Sequence, residues 1–293
     1  MAGCGEDGTT RSVKRQSMGE VPPWWVCGRL GQRFGAGIVS RELALIGIGA
    51  GDPDWVTVEA ARLITSLDVL FVVRKEESLD DLVEARRAVI ARHRQTPLRT
   101  VELRDPPRPW RSASDYDVAV AEWRAERLVQ WGAAIDAHLD DGQCGGFLVW
   151  GDPGLYDSTV TIARELADEA ADSESPIRLR VIPGISSVSA LTARHGIPLN
   201  RQGRSVEITP ARLVRDGLPD GVDDVVVMLD AHQTFTEIDP AGVDIYWGAY
   251  LGTDDEILIR GPLAQVRDDI VRARAEAVAR KGWVFDTYLL RRR

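Results

Sequence analysis

Short apolar runs bounded by glycine and proline alternate with longer stretches of 3.6-residue apolar spacing over the first two thirds of the chain. Leu43 to Ile48, Val69 to Val73, Leu98 to Leu103, Phe147 to Trp150 and Ile177 to Ile182 are dense and lack polar alternation. A parallel strand buried on both faces requires this pattern. Between them, apolar residues recur at helical spacing. The spacing predicts helices from about Thr57 to Leu67, around Leu79 to Ile90, from about Asp115 to Asp140 (Trp123, Leu128, Trp131, Ile135, Leu139), from Thr159 to Ala171 with Ser158 or Asp157 as N-cap, and up to about His195. Strands alternating with helices imply a parallel sheet with right-handed crossovers. The segment Gly196 to Gly203 punctuates the chain, and beyond it strands outnumber helices. Val206 to Thr209, Val225 to Leu229, Asp244 to Tyr250, Glu256 to Ile259 and Trp283 to Leu290 surround one helix from about Leu263 to Ala279, whose apolar stripe is Leu263, Val266, Ile270 and Val278. That half predicts an α+β domain with antiparallel pairs.

The expected architecture is therefore α/β with two domains, 41–200 carrying a mostly parallel sheet with flanking helices and 201–293 carrying a mixed sheet. Residues 1–40 differ: Gly, Arg, Ser and Thr are scattered without period, and five basic against three acidic residues leave −11 of the formal −9 charge to the rest. They are expected to form a disordered or non-structural extension.

Charge and cysteines narrow the chemistry. A net −9 with a pI near 5.1 argues against a nucleic-acid partner, because such binding shows as a basic domain or stripe. Cys4, Cys27 and Cys144 have no metal-ligand spacing and cannot make an even disulfide framework, so no metal is expected and a reducing cytoplasm is. No apolar run approaches the roughly 20 residues needed to span a bilayer.

Glycine-rich loops follow three of the strands. Gly47-Ile48-Gly49-Ala50-Gly51-Asp52-Pro53 follows the first, Gly151-Asp152-Pro153-Gly154-Leu155-Tyr156-Asp157-Ser158 the fourth, and Pro183-Gly184-Ile185-Ser186-Ser187 the fifth. Loops beyond the carboxyl ends of parallel strands carry ligand sites, and glycine lets backbone approach a ligand closely. The first loop departs from the dinucleotide fingerprint, since Asp52 and Pro53 stand where a third glycine and the helix start would be. A nicotinamide-dependent oxidoreductase remains the reading from a different class. The stretch Arg104 to Arg111, stiffened by three prolines, offers guanidinium groups to substrate carboxylates.

Taken together, the three loops resemble the tetrapyrrole (corrin/porphyrin) methylase family from about residue 43 to the end of the sequence. The resemblance implies S-adenosyl-L-methionine as cofactor, bound in a cleft between two α/β domains of a homodimer. Further stretches, among them Ala193 to Arg201, Val225 to Asp230, Asp244 to Leu258 and Asp286 to Arg292, resemble the branch of the family that methylates C-1 of precorrin-5 and releases the extruded acetyl group as acetate. Methylation at another tetrapyrrole carbon is the alternative within the family. By the resemblance, Trp150, Gly151, Asp152, Leu155, Ser186, Ser187, Met228 and Gly248 would line the cofactor cleft. Asp52 would face the tetrapyrrole, with Asp52, Tyr156 and His195 as candidates for a general base and Asp52 and Tyr156 favoured as catalytic. Arg104, Arg108, Arg194 and Arg201 would anchor substrate carboxylates.

Overall fold

The structure is a computed structural model that describes residues 40–74, 80–107 and 115–293. Apart from Ser40, the extension expected over 1–40 lies outside the described residues, as does Arg108. Five short apolar segments become β1 (Arg41–Gly47), β2 (Val69–Arg74), β3 (Arg99–Arg104), β4 (Cys144–Val149) and β5 (Ile177–Ile182). They form a wholly parallel sheet in the order β3-β2-β4-β1-β5. The chain leaves β1 for β2 across one face of the sheet and leaves β4 for β5 across the other, so the connections of these two neighbours run in opposite directions on opposite faces. Such a switch point opens a crevice at the strands' carboxyl ends.

Both faces of this sheet are covered, as the absence of polar alternation requires. On one face Leu43, Leu45, Phe71, Phe147 and Val149 meet α3 (Tyr116–His138) and α4 (Thr159–Glu169) through Trp131, Ile135, Ile162 and Leu166. On the other, Ala44, Ile46, Leu70 and Leu148 meet α1 (Val58–Ser66) and α2 (Asp80–His93) through Leu63, Ile64 and Val89. Each fully buried Leu, Ile or Phe contributes about 1.5–3 kcal/mol by leaving water. Thr57 caps α1 by accepting from the Ala60 amide, whereas at α4 Asp157, not Ser158, accepts from the Thr159 amide (2.6 Å).

The second sheet is mixed, in the order β6 (Val206–Pro210), β7 (Asp224–Met228), β10 (Asp286–Arg292), β8 (Val243–Ala249), β9 (Ile257–Pro262). Only β6 and β7 are parallel; the other pairs are antiparallel. Helix α6 (Leu263–Lys281) covers one face with Leu263, Ile270 and Ala277. The opposite face is covered by α5 (Ser187–His195), whose Val188, Ala190 and Leu191 pack on Val226 and Leu289. Thus α5, which follows β5 in sequence, packs on the second sheet, and Ala50, Trp55 and Leu155 from the first sheet's loops join the same cluster. Among the described residues no helix is long and apolar enough to cross a membrane.

Candidate active site

The loops after β1, β4 and β5 meet backbone to backbone. Gly49 and Gly151 form a two-way bridge (Gly151 N–H to Gly49 O 2.8 Å, the reverse 3.2 Å), and Ile48 donates to Val149. A Cβ on Gly184 would lie 2.1 Å from the Gly151 carbonyl oxygen, and one on Gly47 would lie 2.5 Å from the Gly184 nitrogen. Glycine is needed here for space. At Gly151 the reason differs: φ is +68°, and a Cβ there would meet nothing, because the position opens onto a cavity.

That cavity, about 1110 Å³, lies between the first sheet's loops and the second sheet, just above the usual range for small-molecule sites. Asp52, Trp150, Gly151, Asp152, Leu155, Tyr156, Ser186, Ser187, Met228, Gly248 and Arg194 all line it, brought together from five separate segments. Their chemistry varies. Asp152 spends both oxygens on backbone, Oδ1 accepting from Gly154 N–H (2.7 Å) and Oδ2 from Gly184 N–H (2.9 Å), so it ties the β4 loop to the β5 loop. Ser186 is the N-cap of α5 and accepts from the Ser189 amide. Asp52 starts a short 3₁₀ turn by accepting from the Asp54 amide (2.8 Å). A side chain on Gly248 would collide with Leu191 and Leu251, so this glycine lets α5 approach β8.

Four candidates, Tyr156, His195, Arg104 and Arg201, have surroundings that nothing local in the sequence announces. The Tyr156 hydroxyl donates to the Ile208 carbonyl on β6 (2.9 Å); partial burial, with Glu207 adding and Arg212 opposing, pushes its pKa up. His195 is buried at the end of α5, its Nε2 3.0 Å from the Trp247 carbonyl, away from the cavity lining, and burial pushes its pKa down. Of the candidate arginines among the described residues, Arg194 alone lines the cavity; its Nε donates to Glu256 (2.9 Å) and its guanidinium lies over Trp55. Arg104 is exposed at the end of edge strand β3, and Arg201 is drawn to Asp223 and Asp224. Neither lines the cavity. Asp224, fully buried, collects Arg201 and Arg291 as counter-charges.

The sequence reading missed the wall's polar support. Arg274, nearly buried, donates to the Asp230 carbonyl (2.7 Å) and to Asp286 Oδ2 (3.1 Å), which also accepts from Trp247 Nε1 (2.9 Å). Asp230 accepts from Tyr288 OH (2.8 Å) and from Thr234 through both amide and hydroxyl. Burial pushes the Asp286 carboxyl up, opposed by Arg274, and pushes the Tyr288 phenol far up. A signal existed for Arg274: it stands four residues after Ile270 on the apolar stripe of α6, where a polar side chain needs buried partners. Lys281 pairs with Asp255 (2.6 Å) and holds that carboxyl down. Leu229, Tyr250 and Tyr156, all cavity-lining, have φ of +57°, +49° and +51°. Bulky residues in this region mark a backbone held under strain. Among the described residues no group of side chains could hold a metal.

A profile of the Tetrapyrrole (Corrin/Porphyrin) Methylases matches residues 42–267, from β1 into α6. The chain belongs to this family. Like other tetrapyrrole methylases, it sets a parallel sheet and a mixed sheet about one cleft. It is 43% identical over 253 residues, 86% of its own length and 95% of the relative's, to precorrin-6A synthase [deacetylating] of Sinorhizobium sp.. A cobalamin synthesis related protein from Corynebacterium diphtheriae superposes with a TM-score of 0.73 at 30% identity, over 86% of this chain and 99% of that one. The uroporphyrin-III C-methyl transferase of Thermus thermophilus, solved with S-adenosylhomocysteine, shares the fold (TM-score 0.51, 19% identity, 85% and 96% covered).

Proposed function

We propose that this tetrapyrrole methylase transfers a methyl group from S-adenosyl-L-methionine to C-1 of precorrin-5 and releases the extruded acetyl group as acetate, giving precorrin-6A. The supporting observation is the 43% identity over 95% of a precorrin-6A synthase [deacetylating]. The nicotinamide reading loses its basis with the family assignment. The cavity fits the cofactor: Gly151 leaves an open backbone edge, Ser186 and Ser187 open the N-terminus of α5, and Met228 adds a polarisable apolar surface. When bound, the sulfonium supplies the activated methyl group, so the protein's share is position and exclusion of water.

Trp150, Gly151, Leu155, Ser186, Ser187, Met228 and Gly248 form the cofactor walls in this reading, with Asp152 acting through the loops it ties. Asp52 faces the tetrapyrrole and, as general base, takes the proton of the water that attacks the acetyl carbonyl. Arg194 meets a substrate carboxylate, leaving Glu256 to do so, and Arg104, Arg108 and Arg201 are further carboxylate anchors in this reading. The protein works in the cytoplasm as a homodimer, built of domains 41–200 and 201–293. Incubation with S-adenosyl-L-methionine and precorrin-5, followed by mass analysis of the pigment and assay of free acetate, tests the reading. Gain of one methyl with stoichiometric acetate supports it; methyl gain without acetate would place the activity at another tetrapyrrole carbon.

A further inference from the structure

Tyr156 was a candidate for proton transfer, yet its hydroxyl is engaged 52 residues away. Its φ of +51° places a bulky side chain in the left-handed region, at a cost of about 1–2 kcal/mol. Such strain persists only where the surroundings over-determine it. Three constraints do so here. Leu155 N–H donates to the Asp152 carbonyl (3.1 Å), Asp157 caps α4 one residue later, and the Leu155 side chain joins Ile208 and Met228 in the cluster on the second sheet. The left-handed turn directs the Tyr156 ring out of the β4 loop and toward β6. There it meets the Ile208 carbonyl, and Ile208 pairs with Val226 in the register that sets Pro210 beside Met228. One wall of the cavity, Trp150 to Leu155, is thereby joined to the opposite wall, which ends at Met228.

We propose that Tyr156 is a positioning residue, a strut whose hydroxyl fixes the separation between the β4 loop and the β6–β7 edge and so the width of the cofactor site. The inference rests on the methyltransferase reading for its ligand, though not for the strut itself. Phenol as donor suits the role: with its pKa raised by burial the group stays protonated, and the carbonyl partner accepts only. Tyr156 as a whole residue is 45% exposed, so the strut stands at the cleft's edge rather than in the core.

The test uses Tyr156→Phe, which keeps the ring and removes the donor. In the unliganded protein, hydrogen exchange of amides in 154–159 and in β6 should accelerate together. The dissociation constant for S-adenosylhomocysteine, by calorimetry, should rise about 5- to 10-fold, as loss of one hydrogen bond implies, and KM for the methyl donor should rise in step. At saturating donor, kcat should stay within about twofold. Exchange unchanged in both segments would overturn the strut. So would a fall in kcat with the dissociation constant unchanged, which would return Tyr156 to the chemistry. Wild-type protein that fails to bind S-adenosylhomocysteine would sink the methyltransferase reading instead, and exchange would still decide the strut.

Discussion

Replacing Gly184 with alanine puts one methyl group into the point where three loops touch. The new Cβ would sit 2.1 Å from the Gly151 carbonyl oxygen and 2.9 Å from the Gly47 backbone. Reaching even a 3.0 Å contact requires about 0.9 Å of movement, and every neighbour is backbone, so no side chain can swing aside. The movement also strains the bond from Gly184 N–H to Asp152, 2.9 Å long. Overpacking of this kind costs about 1–3 kcal/mol. At roughly 2–3 °C per kcal/mol for a chain of this size, Tm should fall by about 2–9 °C. The larger effect should be on ligand binding, because Gly151 and Ser186 on either side shift with it. A displacement near 1 Å at a reacting centre costs on the order of 100-fold in rate, so kcat should fall on that scale and the affinity for S-adenosylhomocysteine should weaken with it. Gly196→Ala is the matched control: its φ is +65° and a Cβ would meet nothing, so about 1–2 kcal/mol of strain should lower Tm without touching affinity. Gly184→Ala that binds S-adenosylhomocysteine as wild type does would refute the assignment of the glycine contact to the cofactor site.

Asp152→Asn can still accept one bond through its carbonyl oxygen but not both of the present ones, so the β4 and β5 loops should part. Calorimetry should show donor affinity reduced about tenfold, consistent with loss of a charge-assisted bond of about 1.5–3 kcal/mol. Arg274→Met strands Asp286 in the interior and should cost about 3–5 kcal/mol in urea unfolding, whereas Arg274→Met with Asp286→Asn should recover much of the loss; no recovery would mean that Arg274 acts through packing alone. His195 gives a pH signature. Burial favours its neutral form, so the unfolded chain binds the extra proton first; stability should decline as pH falls below about 6.5 and level off below the depressed folded value. Denaturant midpoints against pH should show this slope, and His195→Gln should flatten it.

Strands bounded by glycine and proline were legible to within about three residues, β4 starting at Cys144 where Phe147 was read. Ile177–Ile182 forms as read, and Leu43 to Ile48 appears as Arg41–Gly47. Their boundaries are written locally, in turn residues and in the loss of apolar density. The gathering of the loop motifs about one cavity was legible because strand-to-helix loops of a parallel sheet share one edge. What was not legible depends on partners distant in sequence. Nothing near Tyr156 announces Ile208, nothing near Arg201 announces that Asp224 is buried, and α5 gives no local sign that it leaves the sheet it follows to cover the other one. Val278 was read into the α6 stripe, yet it is 39% exposed; the buried line runs through Arg274 and Ala277. Period alone could not choose between adjacent residues on the same flank.

Strand order has a consequence for how the chain is made. The first sheet uses only residues 41–182, so it can assemble while later residues are still being synthesised. The second sheet cannot. Its middle strand is β10, 286–292, flanked by β7 and β8, so until that segment leaves the ribosome the sheet is two unjoined pieces. During that interval α5 and the apolar face of Ala50 and Leu155 wait uncovered, and the edges of β7 and β8 are open to wrong partners. Ribosome-bound chains stalled just short of residue 286 should therefore carry a finished first half and a second half that chaperones must guard.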